Sequence, residues 1–462
     1  MRPEEVRSRR FSVIGGARSG VAAARLLSRH GARVFLSDSA PAEKTREAAA
    51  ALAAAGIAAE FGGHTDRAFE ADVMVLSPGV PSDAPVVRSA LGRGITVVSE
   101  IEAASWFCNA PIVAITGTNG KTTTTVLTGR MFADARRPVA VGGNIGTAFA
   151  QIVESLAPDA TVVLEVSSFQ LDHIDTFRPR VAALLNVTPD HLDRYGHSFE
   201  RYAASKARVF ENQREGDALV YNADDPVTSA LVEEKLPAGV RRLPFSAVRD
   251  LPDGACVREG VVHAAPGGGG SALVPAAEVS IRGRHNLYNA MAAALAARAM
   301  GVPAASVRAT LRNFKGVEHR LEFVRELDGV TYVNDSKATN VDAVWYALQS
   351  FTAPLVVLIG GRDKGNDYTR LHELARAHVR AVVAIGESAA KVEAGFAGVV
   401  PVTRAHAMPE AVAAARALAR RGDTVLLSPA CASFDWFTDY EHRGRVFKEI
   451  VAGLAPAGKG AA

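Results

Sequence analysis

The segment Ala114-Ile-Thr-Gly-Thr-Asn-Gly-Lys-Thr-Thr-Thr124 constrains this chain more than any other. An apolar run, Pro111 to Ile115, reads as a buried strand, followed by a short Gly-containing turn and a Thr-rich helix start. A strand–turn–helix of this kind aims backbone N–H groups and the positive end of a helix dipole at one point, which suits a polyphosphate. Lys121 adds a cation that can bridge phosphoryl oxygens, and the Thr122 hydroxyl can ligate magnesium. The loop departs from G-x-x-x-x-G-K-[ST], because Ile115 stands where the first Gly would be. A structural turn with no ligand is the weaker alternative. The segment predicts a nucleoside triphosphate site.

A chain of 462 residues is too long for one core and suits two or three domains. Hydrophobic content of 48% and charged content of 22% are those of a soluble globular protein. A net charge of +3 gives no case for nucleic acid, so any phosphate affinity must be local. Cys108, Cys256 and Cys431 are odd in number and widely spaced, which argues for a reducing compartment and against disulfides or a metal cluster. The N-terminus does not read as a signal peptide, and no apolar run reaches the ~20 residues that span a bilayer. The expectation is a cytoplasmic protein without membrane insertion.

Three α/β segments follow one another. In the first, Phe11–Ile14, Arg33–Leu36, Asp72–Leu76 and Ile95–Val98 read as strands, with a helix from about Val21 to Arg29. Short apolar runs separated by helical stretches imply a parallel sheet with crossovers. Gly15-Gly16-Ala17-Arg18-Ser19-Gly20 is similar to a dinucleotide fingerprint, but Ala17 replaces the middle Gly. Asp38 ends the second strand and Ser77-Pro-Gly-Val-Pro81 opens at another strand edge, where open α/β sheets bind ligands. A nucleotide-type ligand is plausible there; hydride chemistry is not supported. In the second segment Thr161–Val166, Val181–Asn186 and Ala218–Tyr221 read as strands, and Gly267–Gly270 as a surface loop between hairpin-like strands. An Ala-rich helix from Asn286 to Met300 stops at Gly301. From about Lys315 the third segment adds strands at Val330–Val333, Pro354–Ile359, Ala381–Ile385 and Thr424–Leu427.

Several strand ends carry reactive groups. Glu165, ending an apolar run near the phosphate loop, is well placed for magnesium, though it could simply cap the next turn. Asn186-Val-Thr-Pro-Asp-His-Leu-Asp193 gathers Asp190, His191 and Asp193, and His191 could ligate magnesium or approach a carboxyl substrate. By pattern alone Lys206 reads as an ordinary helix-surface lysine. Arg320, beside His319, can reach phosphate by paired hydrogen bonds. Asn334-Asp-Ser-Lys-Ala-Thr-Asn340 and Ser428-Pro-Ala-Cys-Ala-Ser-Phe-Asp435 are polar turns after strands, and Gly360-Gly-Arg-Asp-Lys-Gly365 supplies another cation, Lys364. Cys431 reads as a small packing residue, since no base lies nearby in sequence.

G-T-N-G-K-T-T, G-G-N-I-G at Gly142–Gly146, E-V-S-S-F-Q at Glu165–Gln170 and N-V-T-P-D-H-L-D-R-Y together resemble the Mur ligases of peptidoglycan synthesis. Some of these motifs are shared with folylpolyglutamate synthases. N-D-S-K-A-T-N and S-P-A-C-A-S-F-D are more selective and resemble the D-glutamate-adding branch. The resemblance covers nearly the whole chain in the same motif order. It implies three α/β domains: a Rossmann-like UDP-binding domain over 1–107, a central P-loop ATPase-type domain with a parallel sheet over 108–314, and a dinucleotide-fold-like amino-acid-binding domain over 315–462.

The activity implied is ATP-dependent amide formation through an acyl phosphate, with UDP-N-acetylmuramoyl-L-alanine and D-glutamate as partners and a monomer expected. Two magnesium sites and a carbamylated lysine are implied as cofactors beside ATP. Matched by motif, Gly117, Thr118, Asn119, Gly120, Lys121, Thr122, Thr123, Asn286, Asn289, Arg320 and Asp335 surround ATP. Thr122, Glu165, His191 and carbamylated Lys206 hold metal, which reverses the pattern-only reading of Lys206. Gly15, Ser19, Ser37, Asp38, Ser77, Gly79 and Asn144 match the UDP-substrate side. Lys337, Thr339, Lys364, Ser433 and Tyr440 match the D-glutamate pocket; the aromatic there is often Phe, so Tyr440 should act through its backbone. Lys121, His191, Lys206 and Lys337 are the expected catalytic set. Ala17, and the lack of an Arg soon after Asp38, depart from the family's uracil-binding pattern. Folylpolyglutamate synthase, the nearest rival, lacks the N-terminal UDP domain. A P-loop switch would not need the cationic turns far downstream, and a Rossmann oxidoreductase fails on the altered fingerprint.

Overall fold

The computed structural model describes residues 1–456 apart from 269, 270, 282 and 364, and among them three sheets form. The first is wholly parallel, ordered Ala58–Phe61, Arg33–Asp38, Arg10–Ile14, Val73–Leu76, Thr96–Ser99. The chain winds outward from Arg10–Ile14 to one edge and then returns to Val73–Leu76 on its other side. That reversal opens a crevice at the carboxyl ends of these two strands, where the turns at Gly15 and Ser77 stand.

The second sheet has nine strands, ordered Ala272–Pro275, Val261–Ala265, Gly254–Arg258, Arg241–Ser246, Ala218–Asn222, Val181–Leu184, Ile112–Thr116, Thr161–Glu165, Val139–Gly143. Every residue of Ile112–Thr116 and of Thr161–Glu165 is buried, as expected for parallel strands covered on both faces. The last three strands in sequence pair antiparallel at one edge. The expected Gly267–Gly270 loop falls between two of them, with Gly269 and Gly270 outside the described residues. The third sheet, ordered Glu322–Leu327, Val330–Asn334, Thr424–Leu427, Leu355–Gly360, Val379–Ile385, Val402–Arg404, is parallel except for its first, antiparallel strand.

The fold class is therefore α/β with three sheet-based domains. Contacts gather residues 1–279 and 287–314 into one compact unit, holding the first two sheets, and 280–286 with 315–462 into another. Expected strands recur within one or two residues. The Ala-rich helix begins earlier than expected, at Arg284, and ends at Ala299. Among the described residues no helix is long and apolar enough to cross a membrane.

Candidate active site

The phosphate loop depends on two glycines. Gly117 has φ +155°, and a Cβ there would lie 3.0 Å from Leu185 Cβ. Gly120 has φ +86°, and a Cβ there would lie only 2.2 Å from Asn289 Oδ1. Gly120 is the N-cap of the helix Lys121–Asp134 and brings no capping side chain, so the first N–H groups face the loop. The turn after Val181–Leu184 braces this loop from below. Asn186 accepts from Thr118 N through its carbonyl and from Asn119 N through Oδ1, both at 2.9 Å. Thr118 Oγ1 donates to Thr188 O at 3.0 Å. Asn119 Nδ2 is buried with no hydrogen-bond partner among the described residues, a cost of about 1–3 kcal/mol that a polar ligand would remove.

Lys121 folds over the loop, its Nζ donating to Gly117 O at 2.9 Å and Thr118 O at 2.7 Å. Thr122 Oγ1 donates to Glu165 Oε2 at 2.6 Å, and Asn144 Nδ2 donates to Glu165 Oε1 at 2.9 Å. This carboxylate and hydroxyl set is all hard oxygen, the chemistry magnesium prefers, so the residues fit that ion. His191 has φ +50° and rests edge-on against the Phe169 ring, with Nε2 3.7 Å from the Asp190 carboxylate.

Lys206 is not on the helix surface, where pattern alone put it. Its side chain is 2% exposed, Nζ donates to Gly117 O at 2.8 Å, and the ammonium lies over the Tyr202 ring. Burial and then the charge of Lys121 hold its pKa well below the usual lysine value, against the pull of Asp190, Asp172 and Glu165. The helix Phe199–Ala207 turns this face toward the phosphate loop, and sequence spacing alone cannot tell which face meets another sheet.

In the first sheet, Ser77 Oγ donates to Gly15 O at 2.9 Å, and Asp38 accepts from Gly16 N and Ala40 N, so both side chains shape the turns. The Ser37 hydroxyl is buried and engaged with Glu60 Oε1 and His64 Nδ1, each at 2.7 Å, inside the sheet's own polar cluster. Ser19 is half-buried and Gly79 exposed on their turns. Beside them runs a groove of about 550 Å³ whose lining includes Arg18, Arg25 and Lys44. Sequence reasoning passed over these cations because each reads as an ordinary surface residue.

In the other unit, Asp335 is buried and accepts from Ser428 Oγ at 2.8 Å and Leu321 N at 3.2 Å. Burial pushes its carboxyl up to about 7, against those hydrogen bonds and the charges of Arg320 and Arg443. Lys337 Nζ stands 3.6 Å from the Tyr440 ring centroid. Ser336 Oγ donates to Tyr440 O at 2.8 Å. Ser433 is buried, Thr339 is half-buried, and Lys364 lies outside the described residues.

Arg443, which sequence reasoning missed, ties two of these turns together. Its buried guanidinium donates to Ser336 Oγ and O, Cys431 O and Ala432 O at 2.8–3.3 Å. Burial lowers its pKa to about 10. The Cys431 thiol is raised by burial, which fits packing rather than nucleophilic duty. Glu318, His319 and Glu322 form a metal-like cluster, but Lys448 Nζ already supplies a cation there, 2.5 Å from Glu318 and 2.8 Å from Glu322. Asn289 accepts from Thr124 Oγ1 at 3.4 Å in the first unit, and Asn286 is buried in the second.

Residues 9–99 match the Mur ligase MurD-like N-terminal domain, 115–297 the Mur ligase middle domain, and 319–431 the Mur ligase glutamate ligase domain. The chain is 54% identical to the UDP-N-acetylmuramoylalanine–D-glutamate ligase of Salinibacter ruber, over 98% of this chain and 100% of that relative. It is 46% identical to the enzyme of the same name from Chloroherpeton thalassium, over 98% and 100%. Among solved structures, UDP-N-acetylmuramate-alanine ligase from Thermotoga maritima superposes with a TM-score of 0.60 at 20% identity, covering 96% of this chain and 99% of that one. E. coli FolC, in complex with DHPP and ADP, gives 0.57 at 17% identity over 76% of this chain and 92% of that one. At these identities the structural likeness speaks for the fold alone.

Proposed function

This chain belongs to the Mur ligase family, and from that premise we propose that it is an ATP-dependent ligase joining D-glutamate to UDP-N-acetylmuramoyl-L-alanine in peptidoglycan precursor synthesis. The observation that carries the reading is full-length identity of 54% to a ligase of that name. Support comes from the cations, glycines and carboxylate gathered at one phosphate loop. The enzyme works as a cytoplasmic monomer, with first-sheet turns Gly15, Ser19, Asp38, Ser77 and Gly79 toward the UDP end of the substrate.

The muramoyl-alanine carboxylate attacks the γ-phosphorus of ATP, releasing ADP and leaving an acyl phosphate. The amine of D-glutamate then attacks the acyl carbon, and the tetrahedral intermediate expels phosphate. Two anions must meet in the first step, so charge has to be neutralised around them. Lys121 and the N–H groups opening its helix do this for the phosphates. Asn144, whose amide donates to Glu165, serves the substrate carboxylate in this reading. Thr122, Glu165, His191 and carbamylated Lys206 would hold magnesium, which when bound supplies positive charge to the phosphoryl oxygens. Asn286, Asn289, Arg320 and Asp335 serve the nucleotide. Lys337, Thr339, Lys364, Ser433 and the Tyr440 backbone serve D-glutamate, since each carboxylate of a desolvated dicarboxylate needs paired donors.

Phosphate release from ATP with UDP-N-acetylmuramoyl-L-alanine tests the reading. Release should require D-glutamate, with little from L-glutamate, glutamine or L-lysine. Equal use of L-lysine would move the chain to another branch of the family, and turnover of a folate in place of the UDP substrate would move it outside the peptidoglycan ligases.

A further inference from the structure

Glu102 lies on the short helix Glu100–Ser105 that follows the last strand of the first sheet, and it is completely buried. Its two carboxylate oxygens accept from five donors: Trp106 Nε1 at 2.8 Å, Asp175 N at 2.9 Å, Thr176 N at 3.0 Å, Thr176 Oγ1 at 2.6 Å and Phe177 N at 2.8 Å. Four of these donors belong to residues 175–177, which connect the Glu165–Gln170 motif to the next strand of the second sheet. Further bonds cross the same seam. Ser99 N donates to His173 O at 2.8 Å, His173 Nε2 lies 2.9 Å from Ser82 Oγ, and Arg194 Nη2 donates to Val80 O at 3.2 Å.

The energetics single out Glu102 within this seam. Five donors converge on this one side chain, so replacing it loosens several cross-sheet bonds at once. Without that acceptor the Phe177 N–H would be buried with its partner gone, while the Asp175 and Thr176 N–H groups, on exposed residues, would turn to water and free the segment. Among the described residues its carboxylate bonds go to Trp106 and to residues 175–177, and to neither the phosphate loop nor the first-sheet turns.

We infer that Glu102 is a positioning residue. By gathering the 175–177 backbone onto the end of the first sheet, it fixes the distance between the turns that take the UDP end of the substrate and the loop that takes its acyl end. The inference rests on the proposed assignment of those two ends. A substrate bridging two sites gains affinity over either half only while their spacing matches its length. Loss of the clamp should therefore weaken the long substrate and spare a ligand that fills one end.

The test compares binding of UDP alone with binding of UDP-N-acetylmuramoyl-L-alanine, by calorimetry, in the full chain and in Glu102→Gln. Glutamine keeps the volume but turns one acceptor oxygen into an NH2 that faces the N–H donors. UDP affinity should stay within about twofold, while the full substrate should weaken tenfold or more, about 1.4 kcal/mol. Amide exchange at Thr176 and Phe177 should speed up in the variant. Equal weakening of both ligands, unchanged affinity for both, or unchanged exchange would overturn the inference. If Glu102→Gln does not fold, Thr176→Val, which removes one donor, decides: about threefold weaker substrate binding with UDP unchanged supports the clamp, and no change rejects it. Failure of the unmodified chain to bind the UDP substrate would instead reject the functional assignment.

Discussion

Lys206 and Lys121 donate to the same acceptor: their Nζ atoms lie 2.8 and 2.9 Å from the carbonyl oxygen of Gly117. Burial first, and then the charge of Lys121 beside it, lower the Lys206 pKa well below the usual lysine value. A buried amine whose pKa is lowered gives up its proton more readily and so reacts more readily with carbon dioxide, and Lys121 would then face an anion.

Lys206 should therefore carry a carbamate, seen as a bicarbonate-derived carbon-13 resonance that Lys206→Ala lacks. Activity of Lys206→Ala should fall on the order of 10²-fold or more, and acetate should restore part of it by replacing the missing anion. An unmodified lysine together with no rescue would reject the carbamate.

Lys121→Ala should lower kcat by about 10³-fold, the scale of losing a charge aimed at a transition state, while the melting temperature changes little. Because Lys121 helps depress the Lys206 pKa, the same variant should also show lower carbamate occupancy at neutral pH. A folded variant with most of its activity would remove the nucleotide role of the loop.

Glu100 is fully buried, and its carboxyl is pushed up to about 7, with Ala150 N and Phe149 N opposing that shift. Its folded pKa lies above the unfolded value of about 4.5, so its contribution to stability is present below pH 4.5 and is lost as pH rises toward 7. Glu100→Gln should raise stability by roughly 1–3 kcal/mol at pH 8 and by little at pH 5, measured by urea unfolding. A pH-independent difference would contradict the buried, ionising carboxyl.

Lys337 rests on the face of Tyr440, so the ring rather than the phenol should matter. Tyr440→Phe should leave the D-glutamate KM within about twofold, and Tyr440→Ala and Ser433→Ala should raise it about tenfold or more, with the ATP KM nearly unchanged. If the Phe variant behaved like the Ala variant, the hydroxyl and not the ring would be the working part.

Much of this protein was legible in one dimension. The apolar runs gave strand positions within one or two residues, and Gly117, Gly120 and Lys121 announced a phosphate loop, because hydrophobic periodicity and glycine backbone freedom are local properties. The same runs did not reveal strand order, nor that residues 1–107 pack with the phosphate-loop sheet as one unit.

Side-chain roles divided along the same line. Lys206 looked like a surface lysine until the fold set it on a carbonyl 89 residues away. Ser37 looked available until Glu60 and His64 closed on its hydroxyl. Arg443 and Glu102 carried no sequence signal at all, since a charged residue in a helical pattern normally faces water. Sequence by itself determined which segments become strands, helices and tight turns. Tertiary structure decided which charges lose water and which distant donors they meet, because burial and hydrogen-bond pairing exist only once far-separated segments are brought together.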